Sequence, residues 1–326
     1  MSIENDREQK KYRLVEGAIT FVVQSFFDVF VFLILPFWKI AMWIIFMKWR
    51  RRKLKYQMST HRQEVIEGER FEFGKNWLRF IGDLTEHQIV AAEHAISTSL
   101  GDVFGKTFLD VGCGSGLSSL AAYRLGALVR SFDCDPNSVQ CTKTLQRKVD
   151  LLWPVEQGSA LDQTYLNTLG KFDIVYSWGV LHHTRAMWSA LDATSQLVKP
   201  GGLFLVALYN DQGWKSRVWK AIKTTYNKYL AARIILVAMY AIPMTTLRWS
   251  VRAATGRLDH ERGMSLWRDS IDWLGGYPFE VTKPQPVIDY MTSRSFLLER
   301  LTDVGTRSGC NEFIFRLRAV SVSTNL

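Results

Sequence analysis

Three glycines at alternate positions, Gly112, Gly114 and Gly116, stand in the stretch FLDVGCGSGLSS, residues 108 to 119. An apolar run precedes them and a helix-like stretch follows, so the missing Cβ atoms let the backbone turn tightly and approach a ligand at a helix start. A dinucleotide loop of the GxGxxG kind needs glycine at 117, where this chain has Leu117, and the lysine of a phosphate-binding P-loop is absent. The loop alone therefore names no ligand. Asp133 closes the next apolar run, seventeen residues after Gly116, where a carboxylate can accept both hydroxyls of a ribose. GVLHHT then sets His182 and His183 side by side after a further apolar run. Histidine titrates nearest to neutral pH, so either ring is a candidate general base; a cap on the next helix or a bond to backbone is the competing role for both. Asn210 and Asp211 end another apolar run in YNDQG, where they can touch a substrate or serve as ordinary turn residues.

The elements that must position these groups follow from the pattern around them. Strands are expected at TFLDV (107 to 111), LVRSFD (128 to 133), WPVEQ (153 to 157), FDIVYSW (172 to 178) and GLFLVALYN (202 to 210), with helices at 117–125, 136–147, 161–169 and 185–197. Strands alternating with helices imply an α/β fold, a parallel sheet covered on both faces with its ligand at the carboxyl ends of the strands. Every candidate group above lies at such an end.

At this point the chain resembles a known family. The ordered segments FLDVGCGSG, SFDCDPNS, EQGSALD, FDIVYSWGVLHHT and LVKPGGLFLVALYN resemble the class I S-adenosylmethionine-dependent methyltransferases over roughly residues 70 to 318. Within them the chain looks most like small-molecule enzymes similar to the ubiquinone-biosynthesis O-methyltransferases. The resemblance implies a Rossmann-like sheet of seven strands, the last antiparallel, with LLERLTDV (297 to 304) and NEFIFRLRAV (311 to 320) as the sixth and seventh. It also implies S-adenosylmethionine as cofactor: Asp110, Gly112, Gly114 and Gly116 at its methionine part, Asp133 at the ribose, Cys134 along the adenine with Ser159 and Ala160 near its edge, and Ser177 and Gly179 flanking the methionine side. Cys113 lies within the loop. The acid usual after the third strand is replaced by Ser159. FEFGKNW precedes the sheet and is expected either as a lid, with Phe73, Asn76 and Trp77 as contacts, or as a helix start packed on the core. The resemblance does not name the methyl acceptor; a protein or RNA methyltransferase, a silent cofactor-binding scaffold and, more remotely, a NAD-dependent oxidoreductase stand as alternatives.

The chain of 326 residues is 47 % hydrophobic, enough for a sizeable core, and its formal charge of +10 is local. Residues 48–55 and 214–268 together carry +15, leaving the remainder at −5. That disfavours a nucleic-acid groove spread over the fold, and no nucleic-acid partner is expected. The four cysteines are spaced for neither zinc nor a redox pair and read as reduced cytosolic thiols; six histidines, scattered except for the adjacent pair, give no metal site.

Residues 17–47 contain only Asp28 and Lys39 as charges and are followed at once by KWRRRKLK. As helix they would reach roughly 45 Å, enough for the ~30 Å hydrocarbon layer, and the basic flank places the following domain on the cytoplasmic side; Pro36 either kinks that helix or marks the tip of a re-entrant hairpin, and a buried core helix is the competing reading. A cleaved signal peptide is not expected. The organisation read from the sequence is a polar leader (1–16), a membrane anchor with basic flank (17–55), a helical or lid segment (56–106), the cofactor core (107–210), a helical insert (211–275) and the end of the sheet (276–326). In the insert, Trp214, Val218, Trp219, Ile222, Tyr226 and Tyr229 share one side of a helical wheel, with Arg217, Lys220, Lys223 and Lys228 on the other. Such a helix either lies in a membrane interface or closes a substrate pocket. Residues 234–247 lack charge but look too short, and too broken by Pro243, for a span. The expected partners are therefore a bilayer and a small lipophilic substrate, with the protein membrane-associated and its oligomeric state open.

Overall fold

The computed structural model describes residues 61–82, 84–255 and 265–319. The expected leader and membrane anchor lie outside them. A seven-stranded sheet forms the centre, with strand order β3-β2-β1-β4-β5-β7-β6. Its strands are β1 (Thr107–Val111), β2 (Leu128–Asp133), β3 (Val155–Gln157), β4 (Phe172–Trp178), β5 (Val198–Tyr209), β6 (Phe296–Thr302) and β7 (Cys310–Leu317). β1 to β5 pair in parallel, and β7 runs antiparallel to both β5 and β6.

Successive side chains on a strand face opposite sides, and β1 shows the result: Phe108 enters one layer and Leu109 the other. On the first face the sheet is covered by α2 (Phe73–Gly82), α3 (Glu86–Leu100), α4 (Leu117–Arg124) and α5 (Pro136–Val149), through residues such as Phe80, Ile96, Leu120 and Leu145. A short α1 (His61–Ile66) precedes them. The second face carries α6 (Gln163–Asn167), α7 (Met187–Ser195) and α12 (Pro284–Thr292), through Leu166, Leu191 and Met291. β5 begins four residues before the expected glycine. Lys199, Pro200 and Gly201 fall within its bounds at an irregularity where Phe172 pairs with Val198 and Ile174 with Leu203, and Gly201 takes a left-handed φ of +78° there.

A third cluster belongs to the insert, α8 (Trp214–Lys228), α9 (Leu230–Leu236), a π-helical turn (Val237–Ala241), α10 (Ile242–Thr255) and α11 (Leu266–Gly275). Here the membrane-interface reading of α8, the place of Lys223 and the expected length of the apolar stretch are corrected. The aromatic side of α8 turns inward: Val218, Trp219, Ile222 and Tyr226 are buried against Tyr240, Met244, Leu274 and Phe279. Only its ends, Trp214 and Tyr229, stay exposed. Lys223, assigned to the polar side, is fully buried. In addition, the apolar stretch is longer than expected. Leu230–Val251 forms 22 helical residues, long and apolar enough to cross a membrane by length and composition. The π turn lies directly before Pro243, where proline removes an i→i−4 hydrogen bond. One side of this helix packs inward through Leu236, Tyr240 and Met244, while Leu230 (70 % exposed), Ile234 (64 %) and Trp249 (64 %) face outward.

Candidate active site

The floor of the site is the glycine loop between β1 and α4. Gly112, Gly114 and Gly116 have φ of +77°, +53° and +80°, the left-handed region that glycine enters at no steric cost. Space is short as well. A Cβ at Gly112 would lie 2.3 Å from Val180 Cγ1, and one at Gly116 2.6 Å from Thr142 Cγ2. The Gly114 N–H donates to Asp133 Oδ2 at 3.0 Å, and the Asp135 N–H to Asp133 Oδ1 at 2.8 Å. Asp133 therefore locks the loop to the end of β2 while each oxygen keeps a lone pair for a ligand. Burial raises its carboxyl to about 6.

Asp110 lies behind the loop, 2 % exposed. Ser119 Oγ donates to its Oδ2 at 2.5 Å and stands 2.7 Å from Ser131 Oγ, which takes the Trp153 indole N–H at 3.0 Å. Because the Ser119 proton is committed to Asp110, Ser131 must donate to Ser119. The relay runs from Trp153 to a carboxyl that burial lifts to about 7. Cys113 is buried with its Sγ 3.3 Å from Thr142 Oγ1, and burial holds both it and Cys134 as thiols, Cys134 at about 12. Beyond β3 the Gly158 N–H donates to the Asp133 carbonyl at 3.0 Å, which ties Ser159 and the buried Ala160 to the same corner. Ser177 is buried and donates to the Val111 carbonyl at 3.2 Å, clamping β4 to β1. Gly179, at φ +75°, has nothing within 4 Å of where its Cβ would stand. Beside the crowded Gly112 and Val180, that open cradle, with the spare lone pairs of Asp133, fits a ribose-bearing cofactor laid along the strand ends.

The roof is α2. Phe73, Asn76 and Trp77 share one side of it, by i, i+3, i+4 spacing. The Phe73 ring is 4.9 Å from that of His183. A Cβ on Gly114 would sit 3.5 Å from Trp77 Nε1, so the indole covers the loop. Asn76 instead donates to Asp272 Oδ1 at 2.7 Å and to the Arg268 carbonyl at 3.2 Å, both on α11. The start of α2 is docked on the ribose corner. Gly74 N–H donates to Asp135 Oδ2 at 2.8 Å, and Asn137 Nδ2 to Glu72 Oε1 at 3.1 Å. Asp135 is also the N-cap of α5. Neither it nor Gly74 stood out in the sequence, because their contact spans 61 positions; the N-cap signal Asp-Pro was the only local trace.

His182 and His183 follow β4 in a single 3-10 turn and are both buried. His183 Nδ1 lies 2.6 Å from the Pro278 carbonyl. A carbonyl only accepts, so Nδ1 carries the hydrogen and Nε2 the free lone pair. His182 Nδ1 accepts the Tyr209 N–H at 3.3 Å, and its buried Nε2 has no hydrogen-bond partner among the described residues. Burial lowers both, His183 to about 3, so the pair is neutral at pH 7. Asn210 is used by the fold: its Nδ2 donates to the carbonyls of Gly305 (2.7 Å) and Arg307 (3.0 Å), and its Oδ1 accepts from Asn311. Asp211 Oδ1 accepts the Gly213 N–H at 2.8 Å, the ordinary turn arrangement. Neither is aimed at an acceptor.

Past the histidines the wall is aromatic. Tyr209 stacks 3.8 Å from His182 and meets Trp273 at 5.5 Å and Phe279 at 5.3 Å. Lys223 Nζ sits among those rings, 4.5 Å from Trp273 and 5.0 Å from Phe279, and donates to the Trp273 carbonyl. Among the described residues no group of acids, histidines and cysteines could hold a metal ion.

Comparison with known proteins agrees with this geometry. Residues 109–206 match the family model described as a methyltransferase domain. The ubiquinone biosynthesis O-methyltransferase of Brucella ovis is 35 % identical over 108 residues, 32 % of this chain and 42 % of that protein. Its namesake in Cronobacter sakazakii is 34 % identical over 123 residues, 36 % of this chain and 49 % of that protein. The chain thus spans less than half the length of these relatives. Among solved structures, the magnesium protoporphyrin IX methyltransferase of Synechocystis with bound SAH covers 85 % of this chain and 95 % of its own, at 15 % identity and a TM-score of 0.42. The stretch from β1 to β5 is thus similar to a methyltransferase domain, and the relatives it resembles are named as O-methyltransferases.

Proposed function

We propose that this chain transfers a methyl group to a hydroxyl oxygen of a lipophilic small molecule at a membrane surface. The observation that carries the transfer reaction is the left-handed glycine loop hydrogen-bonded to Asp133 beside the open cradle at Gly179. The relatives named for O-methylation in ubiquinone biosynthesis support oxygen as the atom and an apolar molecule as its bearer.

Bound S-adenosylmethionine supplies an electrophilic methyl, so the protein has chiefly to align the acceptor, exclude water and handle one proton. Asp133 and the loop backbone hold the cofactor. Trp77 over Gly114 and Phe73 against His183 shut the site from above. Tyr209, Trp273 and Phe279 offer an apolar wall beside the histidines, and the lone pair on His183 Nε2 can orient an acceptor hydroxyl.

The membrane part of the reading rests on Leu230–Val251. Its inner side builds the aromatic cluster, and its outer side exposes Leu230, Ile234, Ile235, Met239, Ile242 and Trp249. A helix apolar on its free side, in a segment rich in arginine and lysine, has the character of one lying in an anionic membrane interface. An acceptor could then pass from lipid to the site without crossing water.

The test is transfer of labelled methyl into lipid extract, soluble metabolites, protein and RNA, with wild type and Asp133→Ala. Label in the organic phase that vanishes in the variant supports the reading. Label confined to protein or RNA overturns the acceptor class. Asp133→Ala should weaken cofactor binding by roughly 1.5–3 kcal/mol, since its hydrogen bonds are charge-assisted; unchanged affinity removes Asp133 from the site.

A further inference from the structure

Transfer to a hydroxyl needs a proton acceptor, and the groups first expected to serve are poorly suited to it. His182 has committed Nδ1 to the Tyr209 N–H, and in neutral form its Nε2 carries the hydrogen. His183 keeps a free lone pair, but burial and its neighbours hold it to about 3, so it binds a proton weakly at pH 7. Asp133 holds the loop and keeps its remaining lone pairs for the cofactor's ribose, and Asp110 is sealed behind the loop.

One carboxyl at the site has no assigned task. Asp272 lies on the α11 face that meets α2. Its Oδ1 accepts from Asn76, which stands between Phe73, packed on His183, and Trp77, packed on Gly114. At the C-cap of α11, a Cβ on Gly276 would be 3.2 Å from His183 Cε1 and 3.5 Å from Phe73 Cζ. Asp272 thereby meets the helix that covers both the glycine loop and the histidine pair. It is half-buried, and its Oδ2 has no hydrogen-bond partner among the described residues and is not sealed from solvent. The groups facing it are Asn76 from α2 and Lys223 from α8. On α11 itself are Arg268 and Asp269, the latter paired at 2.5 Å with Arg248 of α10, while Lys75 of α2 is turned to Glu72.

We propose that Asp272 is a catalytic residue, the base that removes the proton from the acceptor's hydroxyl. The proposal rests on the reading that oxygen is methylated. The O–H proton passes to Asp272 Oδ2 as an oxygen lone pair forms the bond to the methyl carbon. The C–S bond breaks with its electron pair left on sulfur, giving S-adenosylhomocysteine, and Asp272 then releases the proton to water. Burial supports this role by raising the carboxyl to about 8, with Asp269 adding to the rise and Lys223 opposing it, and a base is most effective when its pKa lies near the working pH. Asn76 emerges as the residue that aims the carboxyl.

The experiment compares full-length wild type, Asp272→Asn and Asp272→Glu. Binding of S-adenosylhomocysteine by calorimetry should be equal within about twofold in all three, which shows that the site is folded. With S-adenosylhomocysteine bound, the chromogenic phenol 4-nitrocatechol should give the absorbance of its ionised form in wild type but lose that shift in Asp272→Asn. In methyl transfer to the hydroxylated acceptor, kcat should fall ~10²- to 10⁴-fold in Asp272→Asn with KM little changed. The wild-type rise of kcat with pH should disappear there, and Asp272→Glu should recover part of the rate. A kcat within threefold of wild type with the same pH profile, or undiminished ionisation of the phenol by Asp272→Asn, overturns the proposal. If wild type methylates no hydroxyl compound, the reading of the reaction fails instead, and the phenol measurement alone decides whether Asp272 accepts a proton.

Discussion

Gly179 separates what the backbone needs from what the ligand needs. Its φ of +75° and empty surroundings mean that Gly179→Ala introduces left-handed strain and no protein clash. That strain costs roughly 1–2 kcal/mol. Gly201 is the matched control: φ is +78°, nothing lies within 4 Å of its Cβ position, and it sits at the start of β5, the opposite edge of the sheet from the glycine loop. Both variants should therefore lose the same 1–2 kcal/mol in urea unfolding. Only Gly179→Ala puts a methyl into the cofactor cradle, where overpacking costs about 1–3 kcal/mol, or ~5- to 150-fold in affinity. Gly112→Ala is the third case, strained at φ +77° and 2.3 Å from Val180 Cγ1; it should lose about 2–5 kcal/mol of stability. The assay is calorimetric binding of S-adenosylhomocysteine beside urea unfolding. Wild-type affinity in Gly179→Ala would refute the placement of the cofactor along β4. An equal affinity loss in Gly201→Ala would mean that strain, not occupancy, is being read.

Three further outcomes follow from burial and exposure. His183 is lowered from 6.5 to about 3, so the folded state binds fewer protons than the unfolded state and this contribution to stability falls as pH drops below 6.5. By pH 5 it amounts to about 2 kcal/mol; His183→Phe should show that much less loss than wild type between pH 7 and 5 in urea titrations, and parallel curves would refute it. Lys223 is lowered from 10.5 to about 7, so its neutral form is favoured on folding and stability should rise from pH 7 toward 10.5. Lys223→Met, similar in volume and uncharged, should flatten that rise and leave stability at pH 7 equal or higher, whereas a loss above ~3 kcal/mol would make the ammonium contacts net stabilising. The double variant Ile234→Glu, Trp249→Lys changes only exposed positions; it should unfold like wild type yet co-float less with anionic vesicles, and unaltered flotation would clear that helix of lipid contact.

How far the fold was legible depended on how local its cause is. β1, β2 and β4 keep the bounds that their apolar runs define, because a central strand buried on both faces shows no competing pattern. The start of β5 was hidden by Pro200 and Gly201, which read as a turn and do turn, with Gly201 at φ +78°, at a sheet irregularity inside the strand's bounds. The face of Lys223 was misread for a geometric reason. At 100° per residue it lies only about 40° from Trp219, and a wheel does not say that Trp273 and Phe279 arrive from α11 and the segment beyond it. The glycine loop and Asp133 could be found because each closes a strand. Asp272 could not: it meets Asn76 across 196 positions, in a helix that carries no recognisable motif.

β7 lies between β5 and β6, although it is the last of the seven strands in chain order. During synthesis, β1 to β5 can assemble with their glycine loop while one side of β5 still has no neighbour. That side holds a run of six buried residues, Leu203 to Leu208, the kind of open apolar strand that recruits other chains. Until Cys310–Leu317 slots in beside it, a cofactor-ready half of the protein is also its most adhesive form. Early occupancy by S-adenosylmethionine would steady that half, but only the arrival of the final strand removes the sticky edge.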